Sequence, residues 1–170
     1  MLKKFPPYSY IPGVYPHPKN NPQGHSYNKV KEKTSVINNE NYSTHKEYIY
    51  SLELFNNGYY WEAHEELENI WNSVNRDSYI AEFLKALIKL CASGVKVRQE
   101  QEHGIYEHAR LAKIIFEKIK VNENLNLLLG LNISDLINFC QYIMNNSDKF
   151  KSNKYLPVEK VFDFELRIIK

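Results

Sequence analysis

Leu54-Phe55-Asn56-Asn57-Gly58-Tyr59-Tyr60-Trp61-Glu62-Ala63-His64-Glu65-Glu66-Leu67-Glu68-Asn69-Ile70-Trp71 is the stretch on which the fold turns. Asn57-Gly58 closes one helical pattern with residues that tolerate positive φ, and a second pattern begins at Tyr60. Upstream, Tyr48, Ile49, Leu52 and Phe55 recur at helical spacing behind the capping box Thr44-x-x-Glu47. Downstream, Tyr60, Ala63, Leu67, Ile70, Trp71 and Val74 form one apolar stripe. A third helix carries Ile80, Phe83, Leu84, Leu87, Ile88, Cys91, Gly94 and Val95, and a fourth carries Ile105, Ala109, Ala112, Ile115, Phe116 and Ile119. A fifth, opened by Asn132 or Ser134, carries Leu136, Ile137, Cys140, Ile143 and Met144. Short connections make the first four antiparallel neighbours. The expectation is an all-α fold: a compact bundle of two helical hairpins plus a fifth helix over residues 42–147.

The flanks differ in kind. Residues 1–41 hold six of the seven prolines, with Tyr8, Tyr10 and Tyr15 between them, which predicts an extended arm. The tyrosines favour docking on the bundle, since aromatic rings bury much area at low entropy cost. In the C-terminal extension 148–170, Phe162, Phe164, Leu166 and Ile168 alternate with Asp163, Glu165 and Arg167, which predicts a half-buried strand. A lone strand needs a partner: the N-terminal segment, a second subunit in a homo-oligomer, or another chain. Failing that, the segment is a last helix.

At 170 residues, 43% hydrophobic and 25% charged, the chain has enough apolar side chains for one core, which excludes a disordered protein. A formal net charge of +2 is too balanced to point to nucleic acid or a membrane surface. Lys85, Lys89 and Lys96 share the outer side of the third helix and read as its solvated face. No apolar run approaches the roughly 18 residues of a membrane span, and Met1–Pro7 has no apolar stretch behind its charges, so the expected location is the cytoplasm. Cys91 and Cys140 each fall in an apolar helical pattern and read as buried free thiols.

Two features stand out from this frame. Gly58-Tyr59-Tyr60-Trp61-Glu62-Ala63 and Gly104-Ile105-Tyr106-Glu107-His108-Ala109 share the pattern Gly-x-Tyr-x-x-Ala, which resembles the tetratricopeptide hairpin. With only two units, and a spacing longer than that family's repeat of about 34, a closed bundle is expected in place of an open array. The second feature is polar residues on the apolar faces. His64 lies within the stripe of the second helix, Glu68 one turn on at its edge, and Trp61 and Glu65 beside them. Arg98 and His108 take stripe positions after Val95 and Ile105.

Buried charges must pair, so Arg98 is expected against Glu68 or Glu65, with the histidines bonded to carboxylates or carbonyls. Two functional readings compete. In one, His64, Glu65 and Glu68 carry acid/base or metal chemistry on a small molecule, hydrolysis being one such outcome, with Trp61, Glu62, Trp71, Arg98 and His108 lining the site. In the other the cluster is a structural network inside a tetratricopeptide-like protein-interaction module. The metal signal is partial. His64-Glu65-x-x-Glu68 has the zinc-protease pattern with Glu in place of the final His. Glu100-x-x-His103 has the di-iron spacing without its second pair. His17 and His25 would complete the site from outside if the arm folds over it.

The quoted stretch also resembles the hallmark of a family known as domain of unknown function 309, roughly Phe-Asn-x-Gly-x-Tyr-aromatic-Glu-Ala-His-Glu-x-x-Glu-x-x-Trp. The likeness extends through Gly94-Val95-Lys96-Val97-Arg98 and Gly104–Ala109, over about residues 45–119. It implies a small helical bundle, no assigned activity, and Glu62, His64, Glu65, Glu68 and Trp71 as the positions to watch.

Overall fold

A computed structural model describes residues 3–30 and 33–169. Five helices form the body: α1 (Lys46–Asn56), α2 (Tyr60–Trp71), α3 (Tyr79–Arg98), α4 (Glu102–Asn122) and α5 (Ile133–Asn145). Each packs on its neighbour in sequence. A two-stranded hairpin, β1 (Leu127–Leu128) and β2 (Leu131–Asn132), joins α4 to α5. The expected all-α bundle is therefore what the chain adopts, with one small sheet added.

Local signals explain most of the boundaries. Ser78 and Asn132 cap α3 and α5 by accepting from Ala81 N and Asp135 N. The cap of α1 is His45, not Thr44: its ring accepts from Tyr48 N, and the Thr44-Glu47 capping box does not form. The second helix ends at Trp71, three residues short of Val74, although Val74 itself is buried. Gly58, with φ +87°, lies where a Cβ would come within 2.6 Å of the Glu159 carbonyl oxygen. Gly94 of α3 carries the ring of Tyr60, which a Cβ would approach to 2.5 Å, so α2 and α3 meet closely there. The second Gly-x-Tyr-x-x-Ala unit does not repeat this packing. Tyr106 is exposed, and Gly104 abuts the stem of Lys96.

The hairpin turn places Leu129 (φ +47°) and Gly130 (φ +77°) in the left-handed region, as a two-residue turn of the primed type requires. Tyr48 Oη donates to the Leu129 carbonyl (3.0 Å) and Ile169 N to that of Gly130 (2.8 Å), holding the turn from both sides.

The expected C-terminal strand does not form among the described residues. The alternation is real in its burial: Phe162 and Leu166 enter the core, and Phe164 stacks on Phe139 at 4.2 Å between centroids. The ladder is replaced by side chains. Asn56 accepts from Leu166 N (2.7 Å) and donates to Leu166 O (3.1 Å), as a neighbouring strand would. Tyr60 Oη accepts from the backbone of Val161 (2.9 Å) and Phe162 (3.2 Å). An extended segment whose backbone is met in this way needs no β partner.

The arm also lies on the bundle. Tyr8, Ser9 and Ile11 are buried, and Tyr59 Oη and Tyr50 Oη donate to the carbonyls of Pro6 (3.1 Å) and Lys4 (3.1 Å). Cys91 and Cys140 are buried free thiols; burial pushes both pKa values up, that of Cys140 to about 12. No helix of the described residues is long and apolar enough to cross a membrane.

Candidate functional site

Helix α2 sorts the candidate residues onto separate faces. At about 100° per residue, Trp61, Glu62 and Glu65 turn toward the arm, while His64 and Glu68 sit one turn apart on the adjoining side. Ligand atoms of His64, Glu65 and Glu68 all lie within 4.8 Å of one another, and all three residues are half-buried. His108 of α4 is also half-buried, and its Nδ1 is enclosed without a hydrogen-bond partner. Burial lowers its pKa from the usual 6.5, helped by the charges of Lys89, Lys96 and His64 and opposed by Glu107. A ring so placed is neutral at pH 7 and keeps a lone pair for a proton or a metal.

Arg98 is not part of this group. Its side chain is 1% exposed and points to the C-terminal extension, where Nη1 donates to Glu159 Oε2 (2.5 Å), Ser152 Oγ (3.0 Å) and Asn153 O (3.1 Å), and Nη2 to Leu156 O (2.5 Å). The expected pairing with Glu65 or Glu68 is thus replaced by Glu159. The arginine lies at the last turn of α3, where the extension crosses beside Gly58. Nothing in the alternation of residues 162–168 marks Glu159 as the partner; only the folded path does.

Glu62 anchors the arm. Its buried carboxylate accepts from Ser9 Oγ (3.1 Å) and Tyr10 N (2.9 Å), and His25 Nε2 lies 3.0 Å from Oε1. Tyr8 packs edge-on against His25, and Tyr10 and His17 against Trp61. Lys19 forms an ion pair with Glu65 and lies 6.0 Å from the Trp61 ring centroid. His25 therefore meets α2 through Glu62 and His17 through Trp61. Trp71 packs against the core and carries the Arg76 guanidinium 3.4 Å from its ring centroid. Of the eight residues singled out from the sequence, the structure groups His64, Glu65 and Glu68, sets His108 within electrostatic reach of His64, gives Trp61 and Glu62 to the arm, and sends Arg98 and Trp71 elsewhere. Lys19 was not anticipated; a lone lysine in a proline-rich tract gives no sign of its target.

The region holding these residues matches a known family model. Residues 48–107 match the family described as Domain of unknown function (DUF309). The likeness covers about a third of the chain. No curated protein and no solved structure matches the chain. The DUF309 segment runs from the first turn of α1 into the first two turns of α4. It contains His64, Glu65, Glu68, Glu62 and Arg98, whereas the arm, Glu159 and His108 lie outside it.

Proposed function

We propose that the DUF309 segment of this chain carries a divalent metal ion on His64, Glu65 and Glu68, and that the protein acts on a small molecule through that ion. The observation that carries this reading is the approach of one imidazole and two carboxylates, all half-buried, to within 4.8 Å across two adjoining sides of α2. An i, i+4 pair such as His64 and Glu68 lies on one side of a helix, which is how a single helix presents two ligands to one ion. Imidazole with carboxylate oxygens suits zinc, manganese or iron better than it suits calcium or magnesium. Three protein ligands leave coordination positions open, and a bound ion there would lower the pKa of a water, the chemistry of hydrolytic sites. His108, neutral and within electrostatic reach of His64, is the neighbouring group that would take a proton from such a water. Lys19 holds the position of a counter-cation at Glu65, so a metal ion displaces its ammonium or shares the carboxylate with it.

Elemental analysis of untagged protein purified without chelator, alongside His64→Ala, tests the reading. Near-stoichiometric zinc, manganese or iron in the wild type and its loss in the variant are expected. Equal, substoichiometric metal in both would overturn it.

A further inference from the structure

Between the arm and the first two helices lies a cavity of about 830 Å³, distinct from the His64–Glu68 pair and touching that triad only at Glu65. Residues 3–7 form one wall and His25, Ser26, Lys29 and Val30 the other, with α1 and α2 as the floor. Its volume falls within the few hundred to about 1,000 Å³ typical of small-molecule pockets. The interior surface is mainly apolar, supplied by Phe5, Ile49 and Tyr50 among others. Phe5 is 41% exposed although the rings of Tyr50 and Tyr59 lie beside it, so an apolar wall is left open to solvent.

The charges around this cavity are unevenly matched. Three of the four lining carboxylates have a basic partner: Glu62 has His25 (3.0 Å), Glu65 has Lys19, and Glu66 has Lys3 (3.0 Å). The fourth, Glu47, meets only the His45 ring, whose Nδ1 accepts from Tyr48 N. Lys4, Lys29 and Lys46 line the same cavity, and none forms an ion pair among the described residues. Three unpaired ammonium groups against the single unpaired carboxylate of Glu47, beside an open apolar wall, match a ligand with an anionic head and an apolar body. We infer that this cavity binds an organic anion of that kind, the carboxylate or phosphate held by Lys4, Lys29 and Lys46 and the apolar body laid against Phe5, Ile49 and Tyr50. Lysine suits either head group, because it acts as a flexible point charge and not as a planar fork. The arm is then the wall of a binding site, and Glu62, by fixing Ser9, Tyr10 and His25, is a positioning residue for it.

The test is displacement of the fluorescent anion 8-anilino-1-naphthalenesulfonate from the full chain by decanoate, decyl phosphate and decanol. Saturable displacement by one or both anions and not by decanol is expected, and the tighter of the two identifies the head group. Lys29→Glu combined with Lys46→Glu, both exposed positions, weakens anion binding at least tenfold while the circular dichroism spectrum is unchanged. His64→Ala leaves it unchanged, so failure here and failure of the metal reading are separately visible. Equal displacement by decanol, wild-type affinity in the double variant, or no saturable displacement would each overturn the inference.

Discussion

Arg98 and His64 occupy equivalent places in the sequence pattern, each a polar residue where an apolar stripe calls for a hydrophobic one, yet they end in opposite environments. Arg98 is 1% exposed and its two terminal nitrogens donate to four oxygens of the C-terminal extension. His64 is half-buried, with Glu65 and Glu68 gathered around it and His108, whose Nδ1 is unpartnered, within electrostatic reach. The first is a closed arrangement that ties a distant segment to the bundle. The second keeps donor atoms together at partial exposure, where a ligand can reach them. A buried polar residue is therefore informative only with its partners: with both terminal nitrogens bound by the chain itself, as in Arg98, it is architecture even though Nε is left unpartnered; convergent and accessible, it is a candidate for chemistry.

The largest test of that contrast is Arg98→Ala. It takes the ion-pair partner from Glu159, which keeps only Ser152 Oγ and Asn153 N, and leaves two loop carbonyls without their donor. Removing one partner of a buried pair costs about 3–5 kcal/mol. Urea unfolding should show a loss of that order, whereas a loss under 1 kcal/mol would mean the extension is held by its aromatic residues alone. Gly94→Ala comes next, because the added Cβ would sit 2.5 Å from the Tyr60 ring. Overpacking of this kind costs about 1–3 kcal/mol, read as a lower urea midpoint at unchanged slope. Glu62→Gln replaces charge-assisted bonds to Tyr10 and His25 with neutral ones, worth about 1–2 kcal/mol, felt mainly by the arm. Faster tryptic cleavage at Lys19 and Lys29, with the bundle left intact, is the expected signature.

The smallest effect is one of pH. The folded pKa of His108 lies below its ordinary 6.5, so in the window just under pH 6.5 the unfolded state binds the proton more readily. The contribution of the neutral ring is fully present above pH 6.5 and is lost as pH falls through the depressed folded value. His108→Gln should flatten the fall in thermal midpoint below pH 6.5; an unchanged slope would place the titrating group elsewhere.

The helices were legible in the sequence because burial of one face imposes a 3.6-residue period, and Gly58 and Asn132 mark ends in residues whose chemistry is local. The C-terminal segment was legible only in part. Alternation records which side chains are buried, not what meets the backbone, and here Asn56 and Tyr60 do so from more than 100 residues away. The site divides the same way. His64, Glu65 and Glu68 are near neighbours on one helix, so their proximity follows from helical geometry. Arg98 depends on the path of a loop without regular structure, and no periodicity encodes that path. The hairpin at residues 127–132 was missed because Leu129 adopts a left-handed conformation that leucine rarely takes.

A metal site on His64, Glu65 and Glu68 is what we propose. Its most direct test is a competition titration of metal-free protein with zinc and manganese against a chromophoric chelator, repeated for Glu68→Gln and for Arg98→Lys. One ion per chain, bound at least tenfold more weakly by Glu68→Gln and equally by Arg98→Lys, is the predicted result. Wild-type affinity in Glu68→Gln, or no saturable binding of either ion, would contradict it.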